Sequence, residues 1–299
     1  MNGHTIGRDT AAWIKDSIRK FIDSDENIHD NRSGERVFGK PLIGFSRGDD
    51  PIFDDFKHHI GTFYWTPFEI FEKTFPSAVV TPSELTVISW ILPHSKHTKF
   101  DNRREKIYPS ERWARSKHIG EHVNVKLRNY LVALLIKAGH EAVAPLNSRH
   151  WGSRTSKLYG MASSWSERHA AYASGLGTFG LCDGLITPVG KAMRCGSIVA
   201  HISIPPTRRP YRGRHEYCLF FSKRICGACM RRCPASAITR EGHDKKKCRN
   251  YIHSVCTPYI KTRFKFETNA CGLCQTKVPC ESSIPFRKRA RRVSRKGAG

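Results

Sequence analysis

Nine of the chain's eleven cysteines fall between Cys218 and Cys280, and three of them form the run Cys226-Gly-Ala-Cys229-Met-Arg-Arg-Cys233-Pro234. Two thiolates in a C-x2-C spacing can face one iron–sulfur cubane from a single tight turn, while a cysteine that precedes proline is turned toward a second cluster. The chemistry implied is electron transfer. The compact bacterial run carries one more cysteine three residues upstream of the first, but here that place is Lys223, so the nearest upstream thiol is Cys218 across a longer loop. Downstream stand Cys248, Cys256 and Cys271-Gly-Leu-Cys274-Gln-Thr-Lys-Val-Pro-Cys280. Two four-cysteine clusters are therefore covered with one thiol over. The expected assignment is crossed: Cys218, Cys226, Cys229 and Cys280 hold one cluster, and Cys233, Cys248, Cys271 and Cys274 the other. Cys256 is the substitute for Cys218 or Cys248, and Cys182 and Cys195 are expected to hold no iron.

Paired C-x2-C motifs also build structural zinc sites, and a cysteine-dense secreted domain would use disulfides. The proline after Cys233, followed by Ala-Ser-Ala-Ile238, favours the iron–sulfur turn over a zinc knuckle. An odd total of cysteines, and an N-terminus without a basic and apolar leader, argue against a secreted disulfide framework. No stretch approaches the ~18 continuous apolar residues of a membrane span. The expectation is a soluble, cytoplasmic protein with no membrane partner.

The chain has 299 residues, of which 51 are Lys or Arg and 26 Asp or Glu, for a net charge of +25. A field of that size points to a polyanionic partner or to electrostatic steering. It is concentrated: no acidic residue occurs from Gly184 to His215, and Arg287 to Lys296 packs seven positive charges into ten residues. Such a tail is ordinarily a disordered, solvated extension.

The elements that must position the thiols read as mixed α/β. Trp13, Ile14, Ile18, Phe21 and Ile22 recur at helical spacing, and Thr66-Pro67-Phe-Glu69 is a capping box with proline at the first helical position. Leu85 to Leu92, closed by Pro93, predicts a buried strand. Asn124 to Lys137 predicts an amphipathic helix, Ala142 to Ala144 a short strand, Ser164 to Glu167 the cap of a further helix, and Gly196 to Ile204 another strand. The boundaries expected are an α/β domain over 1–205, a cluster-bearing domain over 206–285 and a basic tail over 286–299.

Gly175-Leu-Gly177-Thr-Phe-Gly180 matches G-x-G-x-x-G literally, but a dinucleotide fingerprint follows a strand, opens a helix and has an acidic residue about twenty positions on. Here the glycines end a helix and the acid is missing. They are read instead as a sharp turn or a close approach to a large ligand.

Glu167-Arg168-His-Ala-Ala-Tyr-Ala-Ser-Gly175-Leu-Gly177-Thr-Phe-Gly180, the cysteine run through Cys233-Pro234-Ala-Ser-Ala-Ile238, Cys248, and the upstream Lys137-Ala-Gly139-His-Glu-Ala-Val143-Ala-Pro145 together resemble the epoxyqueuosine reductase and reductive dehalogenase superfamily. The resemblance covers roughly residues 120 to 285. It implies an α+β chain: an N-terminal α/β domain similar to the nitroreductase fold, holding a cobalamin, then a ferredoxin-like domain with two [4Fe-4S] clusters. It also implies that a low-potential donor of ferredoxin or flavodoxin type feeds electrons through the clusters to the corrinoid, that Gly175, Gly177 and Gly180 lie beside the corrin, and that tRNA or another polyanion is a partner.

The chain departs from that pattern. The family's acidic aspartate lies six residues before the position of Glu167, and here that place is Met161, which carries no proton. Cys274 and Cys280 are separated by five residues where three are usual. Asp183 and Tyr172, near the glycines, are the candidates for the missing acid. His169 is either a packing residue or an axial ligand. The leading expectation is an iron–sulfur, cobalamin-linked reductase. The alternative is an electron-transfer or corrinoid-reducing partner with no substrate chemistry of its own, and a zinc-stabilised RNA-binding protein is a third.

Overall fold

The computed structural model describes residues 3–30 and 32–285. The strands are a hairpin of β1 (Ile28–His29) and β2 (Arg32–Arg36), then β3 (Leu42–Arg47), β4 (Leu85–Pro93) and β5 (Ala142–Val143), a hairpin of β6 (Ser153–Ser156) and β7 (Gly160–Ser163), a second of β8 (Thr178–Phe179) and β9 (Leu185–Ile186), and β10 (Met193–His201). Four of them form the central sheet in the order β3-β4-β10-β5, antiparallel throughout.

All nine residues of β4 are buried, because both of its faces are covered. On one side Ile88, Trp90 and Leu92 meet α1 (Gly3–Ile22), which contributes Ile14, Ile18 and Ile22. On the other, Leu85 and Val87 meet α2 (Ile52–Ile60) and α3 (Pro67–Thr74). A continuous apolar run rather than an alternating one is what such a strand requires. Trp13, expected in the helical stripe of α1, is instead 37% exposed. The capping box of α3 forms as read, with Glu69 N donating to Thr66 Oγ1 at 3.2 Å and Thr66 N to Glu69 Oε2 at 2.8 Å.

After α4 (Lys96–Arg104), the long helix α5 runs Glu111–Lys137, capped by Ser110, so it begins a full segment before the predicted start at Asn124. The polar stretch around Gly120 hid its first turns. Gly120 is there because the Phe38 ring rests on the helix backbone: a Cβ would lie 2.6 Å from Phe38 Cζ. Helix α6 (Glu167–Ala173) completes the second layer. Strand β10 ends at His201 rather than Ile204, because the Thr86 hydroxyl takes over there, donating to Ile202 O at 2.6 Å and accepting from Ile204 N at 3.2 Å.

The connector beyond Pro206 stays on this sandwich. Thr207 N donates to Phe45 O at 2.9 Å and its Oγ1 accepts from Phe45 N at 2.9 Å. The cysteine-rich part then folds as short helices: α7 (Leu219–Lys223), α8 (Ala228–Arg231), α9 (Lys245–Tyr251) and α10 (Thr257–Phe264), the last two joined by a π-helical turn over Ile252–Cys256. Its anchor is Arg232, whose guanidinium donates to the carbonyls of Asn102 and Glu105 at the end of α4 and to those of Leu273 and Thr276. Glu281, 3% exposed, pairs with Arg103. Among the described residues no helix is long and apolar enough to cross a membrane. The run Arg287 to Lys296 and the expected tail 286–299 lie outside the described residues.

Candidate metal centre and cleft

The eight cysteines singled out in the sequence line two openings, and Cys218, Cys229, Cys233, Cys274 and Cys280 share one packed cluster. Cys218, Cys226, Cys229 and Cys280 wall a small cavity of about 20 Å³, together with Leu181, Ile186 and Phe220. Cys233, Cys248, Cys271 and Cys274 reach a cleft of about 2030 Å³ between the cysteine-rich helices and the α/β sandwich. The tight turn into α8 holds Cys226 and Cys229 on one side, and the turn at Cys233-Pro234 reverses the chain so that Ala237 N donates to Cys233 Sγ at 3.3 Å. A backbone N–H aimed at a sulfur is one of the protein's means of tuning an iron–sulfur centre.

Cys256, on the π-helical turn, is buried against Trp113, Ile260 and Ala270 beside Cys271 of the second set. Its sulfur interacts with Cys271, which raises the Cys256 thiol and lowers that of Cys271. Cys195, on β10, is also buried; desolvation pushes it up to about 12, so it stays a thiol.

One cysteine stands where the sequence did not put it. Cys182, in the turn between β8 and β9, lies beside Cys229 and Cys274, and Lys191 Nζ donates to its sulfur at 3.1 Å. Lys191 is 3% exposed. Burial by itself would lower its pKa, but Cys182, Cys280, Cys274 and Cys229 together hold it well above the usual lysine range. A buried ammonium needs compensating negative charge, and thiolate-ligated iron–sulfur clusters supply it. The thiols, the apolar walls and this cation therefore suit such clusters chemically. Among the described residues no three His, Cys, Asp or Glu side chains are grouped to hold a single metal ion. Nothing in the spacing of Cys182, thirty-six positions before Cys218, signals its place.

The three glycines do different work. Gly175 has φ +78°, and a Cβ there would lie 2.8 Å from Arg208 O. At Gly177 a Cβ would lie 2.3 Å from Ile186 O. Both are required by the chain's own backbone, and neither lines the cleft. Gly180 does line the cleft, and a Cβ there would meet only ordinary to tight contacts at 3.3–3.4 Å.

Asp183 reaches the cleft at φ 57°, paired to His243 Nδ1 at 3.1 Å. Burial opposes protonation of that imidazole, yet Asp183 and the Cys248 thiol push it up to about 9. Tyr172 is half-buried and stacks on Tyr211 at 5.1 Å; desolvation raises its phenol. Met161, on β7, is 42% exposed at the cleft, and its carbonyl accepts from Lys245 Nζ at 3.1 Å. His169 bonds Ser166 Oγ at 2.9 Å and meets the rings of Phe56 and Phe179 at 4.8 and 4.7 Å. Desolvation, with Arg168 nearby, pushes it down to about 3, so it is neutral and held as an aromatic wall. Sequence reasoning missed the charged floor of the cleft, where Arg128, 1% exposed, pairs with Glu167 at 3.0 Å and Glu121 bridges Arg128 and Arg194.

No protein-family model matches the chain, and no curated protein matches it in sequence. Solved structures do. A catabolic reductive dehalogenase in complex with 3-bromo-4-hydroxybenzoic acid superposes on 92% of this chain and 37% of its own, with a TM-score of 0.51 and 12% identity. The chain shares the fold of that part of the dehalogenase. A second, whose structure suggests a mechanism for B12-dependent dehalogenation, matches 81% of this chain and 30% of its own at TM-score 0.50 and 14% identity. The chain thus spans about a third of the dehalogenase chains it matches. An epoxyqueuosine reductase from Streptococcus thermophilus covers 93% of this chain and 68% of its own at TM-score 0.45 and 14% identity.

Proposed function

We propose that this chain is an iron–sulfur reductase that carries electrons through two [4Fe-4S] clusters to a cobalamin in the cleft, within an α/β domain of nitroreductase type (1–205) joined to a ferredoxin-like domain (206–285). The observation that carries the reading is that four thiols of the cysteine-rich part open into the same large cleft as the α/β sandwich. A cluster held there by Cys233, Cys248, Cys271 and Cys274 would face the cleft, and the one held by Cys218, Cys226, Cys229 and Cys280 would sit behind it. The cleft volume of about 2030 Å³ exceeds the ~300–1,000 Å³ of ordinary small-molecule pockets, in keeping with a ligand of corrinoid size. A bound corrinoid supplies low-potential cobalt chemistry that protein side chains lack.

The chain's own residues would hold and shape that site. Gly180 lets the backbone approach, His169 and Phe179 form an apolar wall, and the Arg128, Glu167 and Arg194 network fixes the floor. Lys245 and Arg249, with Arg214, line the cleft with positive charge and would favour an anionic substrate or a nucleic-acid strand such as tRNA. Anaerobic loading with iron, sulfide and cobalamin tests the reading: about eight irons per chain and a retained corrinoid are expected, and stoichiometric zinc with little iron would sink it.

A second reading, an electron-transfer or corrinoid-reducing partner, is favoured by the state of the acids. Met161 carries no proton, and Asp183 is engaged by His243. Clusters without corrinoid retention would select it.

A further inference from the structure

Lys191 enters the cysteine-rich part from the α/β side. Its backbone N–H donates to Cys280 O at 2.9 Å, and Ala192 N to Glu281 O at 3.2 Å, so the segment before β10 is stitched to the last of the cysteines. Its ammonium is buried and lies 3.1 Å from Cys182 Sγ. Cys182 comes from a turn closed by Gly180 N donating to Gly184 O at 2.8 Å and Asp183 N to Gly180 O at 3.0 Å. Its sulfur lies beside Cys229 and Cys274, which the assignment above gives to different clusters. One cation and one further sulfur, both from outside the 218–280 segment, thus reach between the two sets of thiols.

A four-thiolate cluster is anionic and gains a further negative charge when reduced, and net charge and hydrogen bonds to sulfur are principal determinants of its potential. We propose that Lys191 and Cys182 form a potential-setting pair between the two clusters, the ammonium favouring the reduced state and Cys182 linking it to one ligand sulfur of each. This rests on the iron–sulfur reading. Lys191 and Cys182 are positioning residues: neither holds iron.

The test is an EPR-monitored redox titration of the anaerobically loaded full-length protein, wild type first. Lys191→Met keeps the aliphatic stem and removes the charge. It is expected to retain about eight irons and to lower the reduction equilibrium of at least one cluster tenfold or more, ~59 mV for one electron. Lys191→Arg should keep the wild-type potentials, and Cys182→Ala should keep the irons and shift at least one potential. Equal potentials in loaded wild type, Lys191→Met and Cys182→Ala overturn the proposal. So does a fall in Lys191→Arg as large as in Lys191→Met, or the loss of about four irons from Cys182→Ala, which would make Cys182 a ligand. Where Lys191→Met takes up no iron, Cys182→Ala decides by the same criteria. A wild type that takes up no iron removes the parent reading and this proposal with it, a result distinct from equal potentials in loaded proteins.

Discussion

Arg128, buried in the middle of α5, donates from Nε to the Glu167 carboxylate at 3.0 Å and ties that helix to the first turn of α6. Ser197 of β10 donates to the same carboxylate. Burial pushes the Glu167 carboxyl up, and Arg128 and Ser197 oppose it. Removing the cation from such a pair leaves a buried charge unanswered, which costs about 3–5 kcal/mol. Arg128→Met is therefore expected to lower the denaturation free energy by that much, and the double variant with Glu167→Gln to recover part of it. A single variant within ~0.5 kcal/mol of wild type, the range of a neutral surface change, would show that the pair does not support the cleft.

Serine at Cys229 and at Cys274 should each remove one cluster, leaving about four of about eight irons, because the two cysteines belong to different proposed sets. Iron and acid-labile sulfide assays read the result. Full iron in either variant would remove that cysteine from the ligands.

Gly177→Ala and Gly180→Ala separate backbone need from ligand contact. At Gly177 the new methyl would lie 2.3 Å from the Ile186 carbonyl, which cannot yield, so the variant should lose stability and cofactor together. At Gly180 the nearest atom is 3.3 Å away, so the fold should persist, and any loss of corrinoid retention belongs to the cleft wall. Thermal unfolding and corrinoid retention, measured side by side, decide the matter.

Desolvation, with Arg194 nearby, pushes His94 down to about 3 from its ordinary 6.5, between the rings of Phe38 and Trp113. Because the folded pKa lies below the unfolded one, the unfolded chain takes up a proton that the folded chain refuses. Stability is intact above pH 6.5 and falls as pH drops from there toward 3, by up to ~1.36 kcal/mol per pH unit. His94→Phe should therefore narrow the gap between denaturation free energies at pH 7 and pH 5 by about 2 kcal/mol. An unchanged gap would show that His94 is protonated in the fold.

If the basic cleft and the basic tail hold a nucleic acid, affinity should fall steeply with salt, at a slope of about −0.9 per phosphate on duplex DNA and about −0.7 on single strands. Truncation after Ile284 should reduce that slope and leave both clusters, since every proposed ligand precedes the cut. RNA titrations of both proteins at two salt concentrations measure it, and equal, salt-independent affinities would remove polyanions as partners.

Local pattern along the chain encodes what near neighbours decide. The Leu85 to Pro93 run is a strand buried on both faces, Thr66 caps its helix as read, and nine of the eleven cysteines are concentrated in one segment, because each of these depends on residues close in the chain. Which distant groups meet follows from long-range packing. A helix through Gly120 is invisible until Phe38 packs on it, and Gly175 and Gly177 look like a ligand loop until Arg208 and Ile186 are seen to fill the space. Lys191 and Cys182 look like an ordinary basic residue and a stray thiol. They become neighbours of Cys229, Cys274 and Cys280 because the turn after β8 and the segment before β10 are carried by the sheet against helices that follow much later in the chain, and periodicity and spacing hold no record of such a contact.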